Sequence, residues 1–273
     1  MLLNKKIAII GSVGIPAKYG GFETLVEYLT VNLSSKFLIT VFCSSKGYKN
    51  KISSYNNTRL IYLPFNANGI QSIFYDILSI WYALFFADVL LILGVSGCIF
   101  LPIAKLISNK KIIVNIDGLE WKREKWNYLA RKFLKFSESL AVKYSDEIIA
   151  DNKGVSDYVL KEYGVSAKLI PYGGNHVSKR ELSRETLLKY TFLAEKYVFK
   201  VCRIEPENNI EMILDAFTNS NQLTLVMVGN WYQSDFGKNM KNLYSNISNI
   251  QLLDPIYDQD VLNEIRSNCL FYV

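Results

Sequence analysis

Short apolar runs, recurring between loops and helix-patterned segments, constrain this chain more than any other feature. KKIAIIGS, FLITVFCS, RLIYLPF, ADVLLILG, KKIIVNIDG and DEIIAD follow one another through the first two thirds of the sequence. Unbroken apolar runs of this length suit strands covered on both faces of a parallel sheet, not half-exposed strands that alternate. After the first run, Phe22, Leu25, Val26, Leu29 and Leu33 recur at helical spacing and predict an amphipathic helix over about residues 22–34. Strand followed by crossover helix implies right-handed parallel connections and a doubly wound α/β layer. A second rhythm of the same kind runs from KYVFKVCRI through LTLVMVG and NIQLLD to CLFYV. The 273 residues therefore divide into a Rossmann-like first lobe (residues 1–178), a linker containing a helix (179–195) and a second Rossmann-like lobe (196–273). No helix-patterned segment follows CLFYV, so the second lobe reads as incomplete, the mark of a fragment or of a truncated product.

Composition narrows the functional classes. Thirty-one Lys and Arg against 25 Asp and Glu give a net charge of +6, scattered over short segments without a basic tail. That suits anionic small ligands or an anionic membrane surface and does not suggest nucleic acid. Cys43, Cys98, Cys202 and Cys269 lie too far apart for a zinc or redox motif and read as reduced thiols of a cytosolic protein. His176, the single histidine, leaves no pair for zinc and no Ser-His-acid triad, so no metal site is expected. The start, MLLNKKIAIIGS, lacks the form of a signal peptide. Residues 73–107 imitate a membrane span, but Asp76, Asp88, Gly94, Gly97 and Pro102 divide them into helix, strand, turn and helix. The aromatic side of the first piece, Phe74, Trp81 and Phe85, is read as core, with a lipid-facing patch as the alternative.

Ligands of such sheets gather beyond the carboxyl ends of the strands, which directs attention to the loops there. SVGIPAKYGGFE (residues 12–23) leaves the first strand with Gly20 and Gly21 side by side before the helix. Without Cβ atoms they would let a phosphate or sugar reach the free N–H groups of the helix start, or they serve turn geometry alone. Tyr19 and Pro16 shape the approach. The G-x-G-x-x-G dinucleotide fingerprint is absent, which argues against an NAD-dependent epimerase or dehydrogenase, as does the isolated Tyr128–Lys132 pair. CRIEPENNIE places Arg203 at a strand end of the second lobe, where its guanidinium either forks a diphosphate or pairs with Glu205 or Glu207. Gly229 and Asn230 in VGNW border the same edge. NIDGLEWKREKW puts Asp117 at the end of a first-lobe strand, able to orient a hydroxyl or act as a base. Glu120 and Trp121 follow in a basic, aromatic stretch that either meets an acceptor or membrane surface or buries its aromatic face.

Taken together, IGSVGIPAKYGGFETLVEYL, NIDGLEWKREKW, SDEIIADNKGVSDYVLKEYG, CRIEPENNIEMILDAF and LLDPIYD resemble the bacterial rhamnosyltransferase-type enzymes of glycosyltransferase family 4, which have the two-lobed GT-B fold. Five blocks in the same order, covering nearly the whole chain, carry the resemblance. It implies transfer of a sugar, rhamnose from dTDP-rhamnose, to a lipid-linked saccharide in cell-surface polysaccharide assembly, at the cytoplasmic face of the inner membrane by peripheral association. It also implies a nucleotide-sugar substrate and no cofactor or metal. Gly20 and Gly21 match the family's glycine loop, and Arg203 its donor arginine, with Glu207, Gly229 and Asn230 on the donor side. Asp117, the expected catalytic residue, stands where many relatives have a histidine, and Tyr19, Glu120 and Trp121 fall on the acceptor side. Glu207-Asn208-Asn209 replaces the usual lysine. Relatives continue past CLFYV into a glycine loop and paired glutamates that hold the donor. A non-catalytic remnant that keeps an acceptor-binding or membrane-binding lobe is therefore the competing expectation.

Overall fold

A computed structural model describes residues 5–18, 20–123, 126–174, 177–219 and 223–273. Tyr19 and His176 lie outside the described residues. The chain forms two compact units, Met1–Tyr172 and Gly173–Val273.

Among the described residues the first unit is built on eight strands: β1 (Lys6–Ile10), β2 (Leu38–Ser44), β3 (Ser54–Tyr55), β4 (Thr58–Leu63), β5 (Val89–Leu93), β6 (Lys111–Ile116), β7 (Glu147–Ala150) and β8 (Lys168–Leu169). They lie in the order β3-β4-β2-β1-β5-β6-β7-β8, and every pairing is parallel except the β3–β4 hairpin. That hairpin turns on Asn56 and Asn57, both at positive φ, a two-residue turn whose twist matches its strands. The apolar runs are unbroken because each strand fills two cores. Ala8 and Ile10 of β1 point into one cluster and Ile9 into the other, and Phe42 of β2 is likewise opposed to Val41 and Cys43.

Helix α1 (Gly21–Leu33) covers one face through Val26, with Phe22, Leu25 and Leu33 around it. The opposite face carries α2 (Gln71–Leu84), α3 (Leu101–Ile107), α4 (Tyr128–Tyr144) and α5 (Lys153–Tyr163), which supply Tyr75, Ile80, Ala104, Leu134, Ala141 and Val159 to the larger core. The aromatic side of α2 departs from expectation. Phe74, Trp81 and Phe85 are 56%, 44% and 69% exposed, because the helix turns Tyr75, Ser79, Ile80 and Ala83 inward instead. Among the described residues no helix is long and apolar enough to cross a membrane.

In the second unit β9 (Tyr197–Val201), β10 (Thr224–Val228) and β11 (Ile250–Leu253) form a parallel sheet in the order β11-β10-β9. On the free side of β9 the expected strand CLFYV makes one parallel bridge, Phe199 to Tyr272, with backbone bonds from Leu270 to Tyr197 at 2.8 Å and from Val273 to Phe199 at 3.0 Å. Residues 179–195 are no linker. Helix α6 (Arg184–Lys189) and the 3-10 turn Thr191–Ala194 bury Leu193 and pack Leu187, Tyr190 and Phe192 against Tyr197, Phe199 and Ile265. Apolar residues within so polar a stretch were the signal for this. Among the described residues the unit also holds the helices α7 (Ile210–Thr218), α8 (Asp235–Tyr244) and α9 (Gln259–Asn268).

Candidate functional site

Strand β1 lies between β2 and β5, so the strand order reverses at its carboxyl end, where open parallel sheets bind ligands. The loop leaving it is a braced cradle. Val13 N–H donates to Glu23 Oε1 at 2.7 Å and Ala17 N–H to Glu27 Oε2 at 2.5 Å, while Tyr48 donates to the Pro16 carbonyl at 3.0 Å. Lys18 donates to the Gly47 carbonyl at 2.8 Å and lies over the Tyr48 ring. Gly20 and Gly21 do different work. Gly20 sits at φ +127°, and a Cβ there would lie 1.9 Å from Glu23 Oε2. A Cβ on Gly21 would meet nothing within 4 Å, so the first residue of α1 faces open space. The first backbone bond at this helix start runs from Thr24 N–H to the Gly20 carbonyl, so the preceding N–H groups point forward from the helix start.

Beside this loop the structure places a group that sequence reasoning missed. Tyr75 donates to the Ser12 carbonyl at 3.0 Å, and the next residue, Asp76, is 3% exposed. Ser96, just beyond β5, donates a short hydrogen bond to Asp76 Oδ2, and Gly97 makes room for it: a Cβ there would lie 2.3 Å from that of Asp76. Oδ1 has no partner among the described residues, and burial pushes the carboxyl up to about 7. A single acid inside an otherwise apolar helix was the available signal, read only as an interruption.

Asp117 is exposed just past the end of β6. Its neighbourhood includes Tyr172, which hydrogen-bonds Asn115 at 3.3 Å and is pushed up to about 12, chiefly by burial and further by the charges of Asp117 and Asp151. Glu120 accepts from Arg123 at 2.8 Å and from Trp126 Nε1 at 3.1 Å, closing its own turn. Trp121 is half-buried against the core, with Lys135 over its ring at 4.9 Å. Of the expected acceptor-side pair, Glu120 thus braces the turn and Trp121 packs inward.

The second unit repeats the reversal, because β9 lies between β10 and the bridge at Tyr272. Arg203 emerges there, exposed, and among the described residues it makes no ion pair with Glu205, Glu207 or any other group. Its carbonyl accepts from Asn208 Nδ2 at 2.7 Å and from Glu205 N–H at 3.1 Å, which braces the loop beneath it. Glu207 is exposed and Asn230 half-buried at the same edge. Gly229 is buried, and a Cβ on it would lie 2.5 Å from Ile204 Cδ1, so it joins the two loops by close packing. A groove of about 410 Å³ between α6 and the start of α9 carries Glu185, Asp258, Asp260 and Glu264 against Lys189, a poor setting for an anion. Among the described residues no cluster of three His, Cys, Asp or Glu side chains could hold a metal ion.

Kinship follows from a family model described as "Domain of unknown function (DUF1972)", which matches residues 4–175. The chain belongs to this family. No curated protein matches it. Among solved structures it is similar to sucrose-phosphate synthase from Thermosynechococcus elongatus, with 15% identity, a TM-score of 0.76, and 98% of this chain covering 74% of that one. Anabaena HepE in complex with UDP and glucose is 14% identical at a TM-score of 0.69, with 98% and 73% covered. UDP-GlcNAc 2-epimerase from Neisseria meningitidis, bound to UDP-GlcNAc, is 14% identical at 0.56, with 98% and 76% covered. The DUF1972 chain therefore has the GT-B fold of two Rossmann-like lobes that the sequence resemblance implied.

Proposed function

We propose that this DUF1972 chain is a glycosyltransferase, or the larger part of one, that takes a nucleotide-sugar donor. The finer reading is transfer of rhamnose from dTDP-rhamnose to a lipid-linked saccharide for cell-surface polysaccharide, at the cytoplasmic membrane face. The observation that carries it is Arg203, an exposed guanidinium without an ion pair among the described residues, at the reversal point of the second sheet. A fork of N–H donors at such a point suits a diphosphate. The likeness to HepE with UDP and to an epimerase with UDP-GlcNAc supports a nucleotide sugar over other anions.

In this reading the bond between the sugar's anomeric carbon and the diphosphate breaks, and negative charge grows on the departing phosphate. Arg203 stabilises that charge, a contribution of about 3 kcal/mol for a well-aimed donor. The acceptor hydroxyl enters on the face the leaving group vacates and gives its proton to the departing phosphate oxygen. Within the first unit, Asp117, exposed just past β6, is the group proposed to orient an acceptor hydroxyl. Gly21 leaves the approach to the α1 start unobstructed.

Calorimetry with dTDP and UDP tests the donor site. Arg203→Ala should weaken binding by about tenfold or more, the worth of a hydrogen bond to a charged group, at an unchanged unfolding midpoint. Equal binding by the variant overturns the role of Arg203, and no nucleotide binding by the parent chain favours the non-catalytic remnant. Because the same fold serves an epimerase, transfer itself is read separately, as labelled sugar incorporated into extracted lipid-linked saccharide.

A further inference from the structure

The α2 sequence QSIFYDILSIWYAL contains one charged residue, Asp76, and that residue is buried. Its outward stripe is Phe74, Leu78, Trp81 and Phe85. The stripe continues onto the neighbouring helix: Trp81 meets Phe85 and Phe100 edge-on at 5.5 and 6.0 Å, and on α3 Leu106 and Ile107 are 85% and 52% exposed. On α4, which packs beside α3, Leu129 and Phe136 are exposed with Lys132 and Lys143. None of these three helices exposes a carboxylate, since Asp76 and Glu138 are both buried. The pattern stops at α5, which exposes Asp157 and Glu162.

We infer that the outer surface of α2, α3 and α4 docks onto an anionic lipid bilayer. Aromatic and aliphatic side chains suit the headgroup and upper acyl region, lysines suit anionic headgroups, and the carboxylate just past the end of α4, Asp146, is already paired with Lys105 of α3 at 2.6 Å. A second copy of the chain fits less well, because Lys132 and Lys143 are exposed on the face while its bordering acid, Asp146, is already paired within the chain, which leaves little opposite charge for a copy of itself. The inference deepens the lipid-linked-acceptor reading and rests on it for the choice of a bilayer over a protein partner.

The test is flotation of the full chain with phosphatidylglycerol–phosphatidylcholine vesicles, beside vesicles of phosphatidylcholine alone. Binding should favour the anionic vesicles, and lipids brominated near the headgroup should quench Trp81. Phe85→Ser with Leu106→Ser should weaken binding by about tenfold or more, and Lys132→Glu with Lys143→Glu should remove the preference for anionic lipid. Both variants should keep the parent unfolding midpoint and parent binding of dTDP or UDP. Parent chain that stays unbound, a serine pair that binds like the parent, or a dimer in sedimentation equilibrium that the serine pair dissociates overturns the inference. Loss of nucleotide binding with flotation intact strikes the donor-site reading and leaves the docking surface standing.

Discussion

Replacing Asp76 by asparagine should make the first unit more stable at mildly alkaline pH and little different at mildly acidic pH. Burial raises this carboxyl from 3.8 to about 7 in the fold. Between those values the folded form keeps its proton while the unfolded chain has released it, so rising pH favours unfolding; below 3.8 there is no penalty, and above about 7 the loss is complete. The shift of roughly 3 units corresponds to about 4 kcal/mol in full, of which about 3 kcal/mol falls between about pH 5 and pH 8. The asparagine side chain would keep an acceptor for Ser96 but bury amide donors where Oδ1 has no partner, which costs about 1–2 kcal/mol at every pH. The decisive quantity is therefore the change in the variant-minus-parent difference with pH. Groups common to both proteins, including the lowered carboxyls of Asp146 and Glu162, cancel in it. Urea unfolding followed by tryptophan fluorescence reads mainly the first unit, which holds Trp81, Trp121 and Trp126 against Trp231 in the second. A difference that stays constant across that range refutes a carboxyl buried and uncompensated at this site.

Two adjacent glycines should respond oppositely to alanine. Gly20→Ala should cost about 2 kcal/mol or more in urea unfolding, from positive φ and the clash with Glu23 Oε2. Gly21→Ala should leave stability unchanged or raised by up to about 1 kcal/mol, yet weaken acceptor binding or transfer by placing a methyl in the approach. Lys135→Met should destabilise the first unit by about 2 kcal/mol. The lysine reaches Glu138, whose side chain is 1% exposed, and Glu162, while lying over the rings of Trp121, Tyr158 and Tyr163. Its own partial exposure and the hydroxyls of Tyr158 and Tyr163 that still serve Glu138 keep the loss below that of a fully buried pair.

The strands were legible because a strand filling two cores must be apolar throughout, and β1, β2, β5 and β6 read so directly. The β3–β4 hairpin was not, since its turn is Asn-Asn and its first strand only two residues long. Orientation was harder than existence. Helix α2 has two apolar stripes about one residue step apart, and periodicity cannot choose between them. What decides is the space made by Gly97 and the hydroxyl of Ser96, both some 20 residues away, which admit Asp76 and thereby turn Phe74, Trp81 and Phe85 outward. A chain without that gap would bury the aromatics and expose the acid.

The same reasoning separates the duties of the two strand-end loops. Both were read from sequence as able to hold a phosphate, on the ground that helix starts and basic groups attract anions. In the first unit the α1 start carries Glu23, 7% exposed and hydrogen-bonded to the loop, so a carboxylate already sits in the field of the helix dipole. The loop's own lysine, Lys18, is turned away to the Gly47 carbonyl and the Tyr48 ring. A diphosphate gains little there. Arg203 in the second unit has, among the described residues, neither an ion pair nor a buried acid of its own loop to answer, so the proposed donor diphosphate is the better match for it. The open backbone at Gly21 then suits an uncharged group, the sugar or the acceptor hydroxyl. Nucleotide binding should accordingly follow Arg203 closely and Gly21 weakly, whereas the efficiency of transfer should follow Gly21; the reverse ranking would return the diphosphate to the first loop.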